Sequence, residues 1–553
     1  MQMTTGLLKA SLRNLFIIVH FSSYCTAGTY YVDHNHTSAN DINPGTLNSP
    51  WLTLQHAAET LAAGDTVYIR NGIYHEHVYP ERSGNAYSPI VYSNYPGENP
   101  VIDGTGVSQS QNGILIDKSY ITMIGLDVRN WNDNGIWIEN AAYIAISDCE
   151  VHDVFYGIGI ADGTHDFIFN RVEVHHFDLY GFDVSPSGGA DCYNGTFNDC
   201  VSHSARDSQQ NVDGFALGHG TQHDFEFNRC STHDVYDGFD ISARSATLNR
   251  CLAYNCWNGG YKLWQDSVTL VNCIGYDCAV SIVELDWDGD PGVTTLLNCT
   301  FYHSETFTIW IENTADELHM RNCILAGGEN ICLAFEQRNI DNYRGDFNIF
   351  HNRNDNRVIS VGYEDEFSSS QIDAGEWTSY SGQDANSHTV LIEEEMFLDH
   401  LNHNFHLHET SVAIDRGTST GAPPDDFDGN PRPQGEGVDI GAYEYQGTVD
   451  VFSKEVIDNA SKSFMLYQNF PNPFNTGTEI CYSLSEPDYI MIDIYNTLGQ
   501  KIRSLESRYH EAGKHMIRWN GTDDLGNLVS SGQYIVTVKS ATGRQTRKML
   551  LIQ

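Results

Sequence analysis

The sequence predicts an all-β protein, a right-handed parallel β-helix followed by a small C-terminal β-sandwich. Three observations carry this. Glycine recurs at Gly113, Gly135, Gly157, Gly181, Gly214, Gly238 and Gly260, at intervals of 22, 22, 24, 33, 24 and 22 residues, and a period of about 20 to 50 residues marks a solenoid. Each unit is made of short runs rich in Ile, Val, Phe and Tyr, broken by Asn, Asp and Gly, with no helical stretch long enough for a βαβ crossover. The charge balance then changes along the chain. Net charge is -43, from 30 basic and 73 acidic residues, yet residues 464–553 hold nine Lys plus Arg against eight Asp plus Glu. At 553 residues the chain exceeds one ordinary core, which fits an elongated repeat plus a second domain.

Taken in order, residues 1–28 have Lys9 and Arg13, an apolar run at 15–21 and small residues around Cys25. That pattern is a secretory signal peptide. The run is too short to span a bilayer, and no other stretch approaches ~20 apolar residues, so a secreted or cell-surface protein without a membrane span is expected. Residues 29–445 form the β-helix domain. Within it, 52–63 carries apolar residues at helical spacing and ends at Gly64, a helix placed to cover the exposed edge of the first coil. The opening resembles the start of many secreted right-handed β-helix proteins, and FDGNPRPQGEGVDIGAYEY resembles their end. Residues 446–463 are a linker. Residues 464–553 alternate strands with Asn, Gly and Asp turns, a β-sandwich.

Twelve cysteines follow the signal segment, and seven of them (Cys149, Cys200, Cys230, Cys251, Cys273, Cys299 and Cys323) recur about once per repeat. This regularity points to an inward stack of small apolar side chains. Export permits disulfides, and spacing alone does not establish a pairing.

The chemistry gathers at 211–264. Three phrases repeat there, GFAL from Gly214, GFDI from Gly238 and GYKL from Gly260. In a strand alternate side chains face opposite sides. With Phe239, Ile241, Tyr261 and Leu263 inward, Asp240 and Lys262 point outward together. Asp213 and Asp237 precede their glycines at equivalent places, close enough across adjacent coils to share one cation. Lys118 and Lys262 are the only lysines between Thr29 and Asp450, which singles out Lys262 beside the acidic cluster. An exposed Lys262–Asp240 ion pair worth ~0–1 kcal/mol is the plainer alternative. The 33-residue interval before Gly214 inserts a loop through SARDSQQN, making Arg206 a candidate contact for a substrate carboxylate; Arg244 and Trp264 are further candidate substrate contacts. Trp264 and Trp287 could stack on sugar rings or pack in the core. Asp286, Asp288 and Asp290 in DWDGDPG form an acidic turn or a second cation site.

Strong negative charge disfavours nucleic acid as a partner. An anionic polysaccharide meets the same repulsion unless a bound cation mediates contact.

The phrases NVDGFA at 211–216, DGFD at 237–240 and GGYKL at 259–263 resemble family 9 polysaccharide lyases. The resemblance implies a calcium-dependent pectate lyase-like enzyme that cleaves an acidic polysaccharide by β-elimination, with calcium on Asp213, Asp237 and Asp240 and Lys262 as base. The family has a further Asp where this chain has Tyr236. Two other classes share parts of this pattern. A β-helical pectin hydrolase of the polygalacturonase type is suggested by NVDG and by GHG around His219, but it lacks the expected Asp-Asp pair between them and a later RxK. A non-catalytic surface adhesin would have no use for Lys262. In the C-terminal region NFPNPFN, IYNTLGQ, WNGTDDLGN and SSGQYIV resemble the sorting domains of type IX secretion cargo, which implies that export machinery as a partner and passage across an outer membrane. A carbohydrate-binding or fibronectin-like module is the alternative there. A monomer is expected.

Overall fold

The computed structural model describes residues 27–446 and 464–551, apart from short stretches that include 207–210, 219–220, 265–266 and 286–291. The signal-peptide reading of 1–28 rests on residues outside this range but for its last two, and His219, Trp287, Asp286, Asp288 and Asp290 also lie outside it. The chain divides into two compact units between Gly447 and Thr448.

The first unit is a right-handed parallel β-helix. One face is a 13-stranded parallel sheet running from Thr29–Val32 to Tyr343–Asp346. A coil visits three faces, as in His223–Asn228, Ser231–His233 and Asp237–Ile241, and each strand pairs in parallel with its counterpart one coil on. The face that carries the chemistry is built of β1 (Asn134–Glu139), β2 (Glu150–Ala161), β3 (Glu173–Val184), β4 (Asp213–Leu217), β5 (Asp237–Ile241), β6 (Gly259–Leu263), β7 (Ser281–Leu285) and β8 (Phe307–Ile311).

The recurring glycines sit where the chain enters this face, and sterics require them. A Cβ on Gly214 would stand 2.1 Å from Thr232 Oγ1 and 2.8 Å from Gly238 O; on Gly238 it would stand 2.5 Å from Gly260 O. Consecutive glycines therefore stack coil upon coil with no room for a side chain. Inside, rings stack in the same register. Phe182, Phe215, Phe239 and Tyr261 lie with centroids 4.7, 4.8 and 5.3 Å apart, and all four are fully buried. Another corner turns through left-handed residues such as Arg229, Arg250, Asn272 and Asn298, the conformation Asn tolerates best. Each precedes a cysteine of the repeat. The described cysteines are free and buried, so the regular spacing reflects packing, with Cys230 Sγ 3.4 Å from Phe197 O.

The helix expected at 52–63 spans Leu54–Thr60, capped by Thr53, whose side chain accepts from His56 N–H. Leu54, Ala57 and Ala58 are buried and seal the first coil. The closing phrase lies along the side of the coils: Asn272 and Asn298 donate to Asp425 O and Asp439 O, both at 2.9 Å, and Ile440, Ala442 and Tyr443 pack on Ile274, Tyr276 and Tyr302. Arg432 and Glu444 form a fully buried ion pair there, at 2.8 Å.

The second unit has a three-stranded antiparallel sheet (Phe464–Leu466, Thr478–Leu484, Gly513–Trp519) and a four-stranded one (Lys501–His510, Asp488–Asn496, Gly532–Ser540, Gly543–Leu551). Ile490, Ile492, Ile494, Trp519, Val536 and Val538 make its core.

Two substitutions separate close approach from apolar burial. Gly238→Ala is expected to cost about 1–3 kcal/mol through forced displacement of Gly260 O, and Phe239→Ala about 3–5 kcal/mol through a cavity in the ring stack. Denaturant unfolding of the purified chain checks both.

Candidate active site

Asp213 and Asp237 face outward because the glycine corner interrupts the alternation of the strand. Counting back by two from Asp240 would turn Asp237 inward; instead Gly238 occupies the inward corner, and Asp237 precedes it on the outer side. Register then aligns two columns. Asp213 pairs with Asp237 across β4 and β5, while Asp240 pairs with Lys262, and Lys262 with Glu284, across β5, β6 and β7.

The carboxylates of Asp213, Asp237 and Asp240 each offer an oxygen within 4.8 Å of the others. Asp213 is 2 % exposed and Asp237 0 %; Asp240 is half-buried. Asp237 Oδ1 accepts from Asn258 Nδ2 and from Gly259 N–H, both at 2.8 Å. This saturates one oxygen and leaves the other for the cluster. Asp213 Oδ1 and Asp237 Oδ2 accept no hydrogen bond from the described residues. Lys262 Nζ is 3.6 Å from Asp237 Oδ2 and 4.4 Å from the centre of the Trp264 ring, a cation–π contact that anchors the ammonium.

The charges are frustrated. Burial, then the charges of Asp240 and Asp237, push the Asp213 carboxyl well above its ordinary range; burial also raises the Asp237 carboxyl, against the pull of Lys262. Burial opposes the charge of Lys262, yet Asp237, Asp240, Glu284 and Asp213 together hold its ammonium above the usual lysine value. One cation faces three carboxylates, two of them with buried oxygens unserved. Oxygen donors so disposed suit a hard divalent cation, and the residues present fit that group.

Sequence reasoning proposed Asp213, Asp237, Asp240 and Lys262, and the structure brings these four together. Trp264 lies with them, its ring under Lys262. Arg206 donates to Asp178 at 3.0 Å and Asp153 at 3.3 Å, so its guanidinium is engaged by two acids. Arg244 is exposed in the turn after β5, its N–H donating to Gln222 O at 2.8 Å. Tyr236, which stands where the resemblance places a further Asp, is half-buried against the core. Sequence reading missed Asn258, which orients Asp237, and Glu284 beyond Lys262. It also missed Asp183, though GFDV from Gly181 repeats GFDI from Gly238 and signals the same outward place.

The family profile described as Pel9A-like, right handed beta helix region matches residues 30–284. The matched stretch includes the coils that carry Asp213, Asp237, Asp240 and Lys262. The chain is 28% identical over 188 residues to the pectate lyase PEL9 of Emericella nidulans, covering 33% of this chain and 42% of that protein. It is 35% identical over 141 residues to the uncharacterized protein YwoF of Bacillus subtilis, covering 23% of this chain and 30% of the relative. Each match spans less than half the length of these curated relatives. The crystal structure of pectate lyase Pel9A superposes with a TM-score of 0.45 at 14% identity, over 76% of this chain and 97% of that one. Residues 480–544 match an FlgD Ig-like domain profile. Among the described residues no helix is long and apolar enough to cross a membrane.

The frustration has a measurable consequence. The Asp213 carboxyl is raised on folding, so its ionisation opposes the folded state at neutral pH, and that opposition disappears below its ordinary range. In chelator, Asp213→Asn is expected to raise the melting temperature at pH 7 relative to the parent, with the gap closing as pH falls and the parent takes up its proton.

Proposed function

We propose that the β-helix is a calcium-dependent polysaccharide lyase that cleaves a uronate-containing, pectate-like polymer by β-elimination. The observation that supports it most directly is the meeting of one lysine with three clustered carboxylates, of which Asp213 and Asp237 each have a buried oxygen that accepts no hydrogen bond from the described residues, on coils that match a Pel9A-like profile. Asp213, Asp237 and Asp240 would hold the calcium ion, with Asn258 and Gly259 N–H fixing the orientation of Asp237. Bound there, calcium supplies Lewis acidity that neutralises a uronate carboxylate, and positive charge that offsets the field keeping Lys262 protonated.

Lys262 acts as the base. Its neutral Nζ takes the proton from C5, the C5–H electron pair becomes the C4–C5 double bond, and the C4–O bond breaks with its electrons on the departing oxygen, which then gains a proton from water. Trp264 limits the rotamers open to Lys262 and so fixes where the amine waits. The sequence holds no Asp-Asp pair between NVDG and GHG and no later RxK, which favours elimination over the two-carboxyl hydrolysis of the polygalacturonase type.

The flanking regions complete the proposal. Residues 1–28 serve as a signal peptide and 464–553 as a type IX sorting domain, so the enzyme acts outside the cell as a monomer. The Ig-like match to the second unit supports a β-sandwich accessory role of this kind. A chain ending at Tyr445 is then expected to retain full activity while failing to reach the medium.

The decisive experiment incubates the protein with polygalacturonate, methylated pectin, rhamnogalacturonan and alginate, with and without chelator. A product absorbing in the ultraviolet is expected from at least one polymer and abolished by chelation; reducing ends without the new double bond would move the chain to the hydrolases. Lys262→Ala should lower turnover about 10²- to 10⁴-fold with calcium affinity nearly unchanged, whereas Asp237→Ala should recover in part at high calcium. Because carboxylates hold the Lys262 ammonium above the usual value, the parent rate should rise with pH across the alkaline range, and a rate independent of pH would remove Lys262 from the base role.

A further inference from the structure

The outward column bearing Asp240 and Lys262 extends far beyond them. Register pairs Trp137 with Gly159, Gly159 with Asp183, and Asp183 with Ala216, which pairs with Asp240. At ~4.8 Å per strand, Asp183 lies about 14 Å and Trp137 about 24 Å from Lys262 along the axis. These are several sugar rings away from the proposed bond cleavage.

This far segment is built. A Cβ on Gly159 would stand 2.4 Å from Trp137 Cε3 and 2.5 Å from Cζ3, so the indole lies across the next coil only because residue 159 has no side chain. Trp137 Nε1 donates to Glu139 Oε2 at 2.9 Å, which holds the ring edge. Trp137 remains half-exposed. Asp183 follows at 7 % exposed, and Ser185 Oγ donates to its Oδ1. Burial moves its carboxyl up to about 6, so it is still mainly ionised at neutral pH. From Trp137 to Trp310 the column holds a single cation, Lys262, three coils from Asp183.

We propose that Trp137, Gly159 and Asp183 form a distal subsite that takes an uncharged sugar ring, either a neutral sugar or a methyl-esterified uronate. The proposal rests on the reading of the central site as a polyuronate lyase and adds to it the pattern of charge along the polymer. The indole face offers a flat apolar platform for the C–H face of a sugar ring, and the Asp183 carboxylate accepts from a ring hydroxyl. A free uronate carboxylate in the same place would meet Asp183 as a like charge in a partly desolvated cleft, with the column's one cation, Lys262, three coils away. The two ends of the column thus ask for opposite things: a carboxylate near Lys262, and none near Asp183.

The test measures polymer binding by affinity electrophoresis in the full-length Lys262→Ala protein, which prevents turnover. The polymers are de-esterified polygalacturonate, methyl-esterified pectin and a polymer alternating uronate with a neutral sugar. Trp137→Ala should weaken binding to pectin, to the alternating polymer or to both by about tenfold, with Trp137→Phe restoring most of it. Asp183→Asn should tighten binding to polygalacturonate several-fold. Which of the first two polymers responds separates the ester from the neutral sugar. Unchanged affinities for all three polymers in folded Trp137→Ala and Asp183→Asn proteins would overturn the subsite, as would a loss of polygalacturonate binding in Asp183→Asn. Melting curves verify folding. The unsaturated product of the parent enzyme is scored separately, so a failed lyase reading shows as no ultraviolet product and a failed subsite as indifferent binding.

Discussion

The close stacking of glycines at one corner of each coil governs the rest of this molecule. With less than 3 Å between a would-be Cβ on Gly238 and the carbonyl of Gly260, adjacent coils approach as nearly as backbone allows, and their register is locked. That lock aligns the Phe182–Phe215–Phe239–Tyr261 stack inside. It equally aligns the outward residues on either side of the corner. Aspartates about 24 residues apart in the sequence therefore meet, and a lysine one repeat later joins them without any loop having to fold over the site. The scaffold converts sequence period into spatial adjacency.

This is also why so much was legible beforehand. Period and alternation are linear properties, and in a solenoid they map directly onto coil and face. The inward set Phe239, Ile241, Tyr261 and Leu263 and the outward pair Asp240 and Lys262 follow from counting alone. What counting did not reveal is what depends on contacts across the corner. Strict period 2 places Asp237 inward, and only the glycine bend sets it beside Asp240. The roles of Asn258 and Gly159 are likewise invisible in sequence, one being a hydrogen bond to the Asp237 carboxylate from the next coil, the other a missing side chain beneath an indole. The closing phrase reads as a terminus, but its lateral packing on Ile274 and Tyr302 depends on apolar side chains far away in the sequence. No local pattern encodes that.

The site is also a lesson in incomplete electrostatics. Folded proteins rarely bury carboxylate oxygens without partners, because desolvation is repaid only by bonding or opposite charge. Here Asp213 and Asp237 are both nearly inaccessible, with an unserved oxygen each, and Lys262 is too far from Asp237 for a close hydrogen bond. The ring-stacked core behind them, not the site, supplies the stability that tolerates this. Such strain concentrates where a ligand completes the structure.

A surface of charge -43 would repel a polyanion at long range, and screening over about 8 Å at physiological salt confines the attraction that matters to the site itself. Discrimination by charge must then be local. Lys262 and the aspartate cluster occupy one stretch of the outward column, and Asp183 another, with the small side chain of Ala216 between them. Under the proposed function, a polymer lying along the axis would sample both fields at once, and its acceptance would depend on the order of charged and uncharged sugars rather than on total charge. The same register that brings Lys262 to the aspartate cluster would thereby make the column a ruler for substitution along a bound polymer.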